Sequence, residues 1–160
     1  MMCEGQNAAR LLAAFRSTCH VEELLIAQTK AWSWSVRPAQ PTLGAGILSL
    51  NRHAECFAQV RGDEMAELGE LIGFVEKSLR AAFAYDIVNY LMLMMVDHQV
   101  HFHVIPRYAA ARRFAGLDWA DNGWPSLPAL AERQHADQPG ITGAICQALP
   151  AWAANADADA

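Results

Sequence analysis

A single domain that mixes short strands with one long helix is what this sequence predicts, and three patterns carry the prediction. The first is Gln99-Val100-His101-Phe102-His103-Val104-Ile105, where polar imidazoles alternate with bulky apolar residues. Successive strand side chains point to opposite faces. A period of two therefore places Gln99, His101, His103 and Ile105 on one face and Val100, Phe102 and Val104 on the other. The second is the stripe Met65, Leu68, Ile72, Val75, Leu79, which advances by three and four residues and predicts a helix over 63–83. The third is a set of short apolar or alternating runs at 24–28, 31–36 and 47–50, separated by breakers such as Pro38, Pro41 and Gly44-Ala45-Gly46.

Each element has its own justification. Ala8, Leu11, Leu12 and Phe15 stand at helical spacing, so a short helix over 7–15 opens the chain. Trp32, Trp34 and Val36 fall on one face if 31–36 is a strand. The glycines ahead of Ile47 either mark a bulge or allow a ligand close to the backbone; a lone Gly-x-Gly favours the bulge. The 63–83 helix carries Asp63, Glu64 and Glu67 in its first turns and Lys77 and Arg80 towards its end, complementing the helix dipole. Residues 87–96 then read as a strand, with 91–96 buried, that hairpins through Asp97-His98 into the imidazole strand. Pro106 ends the pairing and Arg107 follows it.

The 160 residues fit one domain, assigned to 1–153, and the Ala/Asp-rich 154–160 is expected to be a disordered tail. With 53% hydrophobic and 18% charged residues the chain can bury a core without staples. A net charge of −5 argues against a nucleic-acid polymer as partner, though not against a single nucleotide. Cys3, Cys19, Cys56 and Cys146 are scattered, and no signal peptide precedes them, so free thiols in a reducing cytoplasm are expected. The run 91–96 is far too short to span a membrane.

The imidazole strand resembles the signature of the histidine triad (HIT) superfamily, in which His alternates with apolar residues three times. Here Gln99 stands in the first position. Val88-Asn89-Tyr90-Leu91 before it and Ile105-Pro106-Arg107-Tyr108 at its end extend the resemblance. Asp118-Trp119 and Trp124-Pro125 resemble the tail of a bacterial subset. The resemblance implies an α+β fold: an antiparallel sheet of about five strands with a long helix packed on one face, paired with a second copy into a homodimer. It also implies a purine nucleotide or other nucleoside phosphate as substrate, its base in an apolar cleft and its phosphate against the His strand. Trp32, Trp34, Ile47 and Leu50 are candidates for cleft or core.

A neutral imidazole is a good nucleophile towards phosphorus, and a phosphoramidate divides one hard hydrolysis into two easier displacements. His101 matches the family nucleophile. His103, two residues on, lies beside it to bind nonbridging oxygens or orient the ring. Arg107 is the candidate for neutralising phosphate charge, and Asn89 for a polar ligand contact. Gln99 can donate and accept hydrogen bonds but cannot deliver a proton near neutrality. Substrates whose leaving groups are stable as anions are therefore expected, rather than amines. The chemistry needs no cofactor.

Rival readings stand beside this one. The two imidazoles could be ordinary strand residues facing solvent. His98, His101 and His103 could converge on a metal, but no carboxylate or thiol completes the set, so none is expected. His53 near Cys56 reads as incidental, and Arg112-Arg113 as a solvated loop. A protein that binds nucleotides with weak or lost catalysis is the alternative that Gln99 favours.

Overall fold

Five antiparallel strands form the centre of the protein in a computed structural model that describes residues 2–152. Helix α1 (Met2–Thr18) is followed by strands β1 (Leu25–Gln28), β2 (Trp32–Val36) and β3 (Gly46–Leu50), and then by helix α2 (Gly62–Phe83). Next come β4 (Ile87–Leu91), β5 (His101–Arg107), the ribbon strands β6 (Arg112–Phe114) and β7 (Leu117–Trp119), and helix α3 (Ile141–Ala148). The sheet order is β1-β2-β3-β5-β4, and β6 pairs only with β7. This is the expected α+β arrangement. The expected tail at 154–160 lies outside the described residues.

Alternation decides what each sheet face carries. Trp32, Trp34, Val36, Leu48, Leu50 and Val104 share one core with Leu68, Leu71, Val75, Leu79 and Phe83 of α2, and Ile145 of α3 joins them. Trp32 and Trp34 are completely buried, and burying a large apolar side chain contributes about 2–3 kcal/mol. The opposite face carries Ser33, Ser35, Ile47, Ser49, His101 and His103. Ser33 pairs with Ser49, and Ser49 with His101, across three strands. Of the four cleft-or-core candidates, Trp32, Trp34 and Leu50 are therefore core. Ile47 belongs to the imidazole face, clustered with Phe15, Cys19 and Val21.

Four local expectations are corrected. Met65 is 42% exposed, and its neighbour Glu64 is turned inward instead. The Arg52 guanidinium donates to both Glu64 oxygens at 2.7 and 2.8 Å, and the Arg61 amide donates at 2.9 Å, so a carboxylate fills the inward position. The β2–β3 register runs unbroken from Trp32↔Leu50 to Val36↔Gly46, so the glycines mark no bulge. They make room for side chains: a Cβ on Gly44, at φ +81°, would meet Phe83 at 2.8 Å, and one on Gly46 would meet Trp34 Nε1 at 2.7 Å.

The strand expected over 87–96 stops at Leu91, opposite His103, and 92–100 is a loop rather than a two-residue hairpin. Beyond Leu91 these apolar residues have no ladder partner, and Met95 and Val96 lie 87% and 89% exposed. Arg112 and Arg113 are in β6, not in a free loop. Arg112 donates to Asp86 and the Ala84 carbonyl, and Arg113 to Asp118.

Candidate active site

His101 opens β5 beside Ser49, and its Nδ1 lies 2.6 Å from the backbone carbonyl of Gln99. A carbonyl oxygen only accepts, so Nδ1 carries the proton. In the neutral ring Nε2 then keeps its lone pair. The His103 ring stands edge-on to it, with centroids 5.0 Å apart and planes at 83°. Burial, then neighbouring His101 and Arg37, push the His103 imidazole down to about 4, so it is uncharged at neutral pH. His103 Nδ1, Ser35 Oγ and Ser49 Oγ are buried without a hydrogen-bond partner in the protein. Buried polar atoms are normally satisfied, so this floor suits a polar ligand or water. Cys19 adjoins it, its thiol pushed up to about 11 by burial and then by the Asp97 charge.

The C-terminal end of α1 covers this floor. The Phe15 ring sits 4.9 Å from the His101 ring, and His101 is only 1% exposed. Arg16 pairs with Glu22 and reaches Asn51 Oδ1, which also accepts from Ser33 Oγ at 2.6 Å. Two imidazoles fronting an open concavity are therefore not what is found: His101 is closed off by an aromatic ring, and His103 is half-buried.

Gln99 is not placed as expected either. The strand begins two residues later, and the Gln99 side chain turns into the 50–54 segment. Its amide donates to the Leu50 and Arg52 carbonyls at 3.1 and 2.9 Å, while Oε1 accepts from His53 Nδ1 at 3.0 Å. No spacing rule links residues 46 apart, so the sequence gives no sign that His53 is the ring that Gln99 meets. Arg107, expected to neutralise phosphate, is 4% exposed and already matched: it contacts both Asp121 oxygens at 2.6 and 3.2 Å and donates to Asn89 Oδ1 at 3.0 Å. Arg107 and Asn89 thus meet each other rather than the imidazole pair. Among the described residues, no group of three or more His, Cys, Asp or Glu could hold a metal ion, and no helix is long and apolar enough to cross a membrane.

Known structures share this arrangement of strands and helices. A histidine triad protein from Sinorhizobium meliloti 1021 aligns with a TM-score of 0.57 at 17% identity, over 81% of this chain and 93% of that one. The chain has the histidine triad fold. A histidine triad protein from Bradyrhizobium japonicum aligns at 0.53, with 16% identity over 81% and 94% of the two chains. A hypothetical histidine triad nucleotide-binding protein from Sulfolobus tokodaii strain7 aligns at 0.54, with 16% identity over 78% and 82%. No family model and no curated protein matches the sequence.

Proposed function

We propose that the protein is a nucleotide hydrolase or nucleotidyl transferase acting at the α-phosphate of a nucleoside phosphate through a covalent nucleotidyl-histidine at His101. The observation that carries this reading is the 2.6 Å contact from His101 Nδ1 to the Gln99 carbonyl, which leaves Nε2 as the nucleophilic atom. His103, neutral and adjacent, serves as a hydrogen-bond donor to nonbridging oxygens. Turnover in this reading requires the end of α1 to move, because Phe15 occupies the approach to His101. Gln99 supplies geometry through its carbonyl and gives the leaving group no proton.

Replacing His101 with Ala is expected to abolish release of nucleoside monophosphate from those nucleoside phosphates that raise the melting temperature, while binding persists. Retained turnover contradicts the reading. The second reading is a nucleotide-binding protein with lost catalysis, favoured by the Phe15 cover together with Gln99. It predicts saturable binding with no covalent species on His101.

The resemblance to the histidine triad fold also supports a homodimer, which in this proposal is joined through the edge strand β4. Ile87 there is 52% exposed, and Leu127 near it is 84% exposed.

A further inference from the structure

A cavity of about 460 Å³ lies along β4, within the size range of small-molecule sites. Ile87, Asn89 and Leu91 form one wall. They pair with Arg107, Ile105 and His103, and residues directly opposite in a ladder share a face. This wall therefore belongs to the imidazole face, and Leu91 stands beside His103. Val88 and Tyr90, between them, turn the other way and pack against the α2 core. The 124–128 segment forms the second wall, with Trp124 half-buried and Leu127 at the rim.

Buried Arg107 fastens the two walls to each other. Its Nη1 donates to Asn89 Oδ1 at 3.0 Å, and its Nη2 donates to the Ser126 carbonyl at 2.9 Å. Both Asp121 oxygens accept from the same guanidinium, and Asp121 Oδ1 also accepts from the Gly123 amide at 3.1 Å, which anchors the start of the second wall. The cavity is thus built without a ligand. A guanidinium only donates, so the Asn89 amide oxygen must face Arg107. Nδ2 is left as a donor that has no protein partner among the described residues. Because Asp121 already matches Arg107, the walls offer no free cation to an anion.

We propose that this cavity binds an uncharged aromatic ring bearing a hydrogen-bond acceptor, with the acceptor on Asn89 Nδ2 and the ring between Trp124 and the apolar side chains of β4. Apolar walls with one fixed donor select such a group. Binding removes Trp124, Ile87 and Leu91 surface from water, and the indole adds the attraction of paired rings. A carboxylate or phosphate entering here loses its water without gaining a counter-charge. Edge pairing of β4 uses main chain in the plane of the sheet, whereas the cavity lies on its face, so the site does not depend on a second copy. Nor does it depend on the reaction proposed at His101.

The test is a titration of nitrogen-15-labelled protein with quinoline at mildly alkaline pH, where the probe is uncharged. It is followed through the Asn89 side-chain amide and Trp124 indole signals, assigned by their disappearance in N89D and W124F. Both signals should shift saturably, with about millimolar affinity for so small a probe. N89D keeps an oxygen for Arg107 and loses only the donor; it should weaken binding about 3- to 10-fold, the worth of one hydrogen bond. N-methylquinolinium, the same ring with its acceptor blocked, should bind more weakly by at least that factor, and W124A should weaken quinoline about 10-fold. Absence of a saturable shift, or equal binding by N89D and wild type, overturns the site. Shifts that follow protein concentration rather than probe would seat a second copy in the cavity and overturn it as well. Either failure leaves the His101 chemistry standing, because no step of it passes through this cavity.

Discussion

His103 is the residue whose charge the fold controls most clearly. An unfolded imidazole takes its proton near 6.5, whereas burial beside His101 and Arg37 delays protonation in the folded chain to about 4. Between those values the unfolded state binds more protons, so this group's contribution is present at neutral pH and is lost as pH falls through the window. Wild type is therefore expected to lose melting temperature between pH 6.5 and 4 more steeply than H103Q. Parallel curves would contradict the assignment. A phosphate bound beside the ring should narrow the difference by favouring the charged form. At this scale alternation put His101 and His103 on one face, and the resemblance to the histidine triad signature singled them out as site candidates. It could not disclose Asp121 or His53, whose contacts to Arg107 and Gln99 bridge 14 and 46 residues.

Helix α1 reads as an ordinary amphipathic start to the chain, and its residues carry no sign that Phe15 will lie on His101. Only the register that sets Ile47 beside His103 creates the apolar spot where Phe15, Cys19 and Val21 gather. Truncating the ring should open the path. F15A is expected to raise the rate at which diethyl pyrocarbonate modifies His101, read by peptide mass, by roughly 10-fold or more, since truncating a buried Phe to Ala costs about 3–5 kcal/mol and part of that loss falls on the local packing that closes the ring off. An unchanged rate would show that Phe15 does not gate the ring. Strand β4 teaches the converse lesson. An apolar stretch from Ile87 to Val96, interrupted by Asn89, satisfies the strand pattern, but pairing stops at Leu91, and pattern alone cannot see where the partner strand ends.

Across the molecule, the α+β arrangement was legible because each stretch obeys its own period. The long helix, the tryptophan strand and the imidazole strand predict layers that coincide with the α2 core and the opposite serine-and-histidine face. Less legible were the long-range polar ties. Arg107 and Asp121 are buried with side chains 5% and 0% exposed, and breaking such a pair costs about 3–5 kcal/mol. They tie the end of β5 to the segment after β7, which makes Arg107 a structural cation despite its place next to the motif. The free edge of β4 is a property of the whole sheet. Sedimentation equilibrium at micromolar concentration is expected to give twice the chain mass, reduced towards one by I87K; a monomer in wild type would remove the dimer.

The proposed reaction bonds His101 Nε2 to phosphorus. Mass spectrometry of the intact protein, quenched with denaturant at alkaline pH within one turnover of a nucleoside phosphate substrate, tests it most directly. The expected result is an acid-labile increment of one nucleotidyl group, a nucleoside monophosphate less water, that maps to His101 and is absent from H101A. Nucleoside monophosphate released at the same rate by a chain that never carries the increment would contradict it.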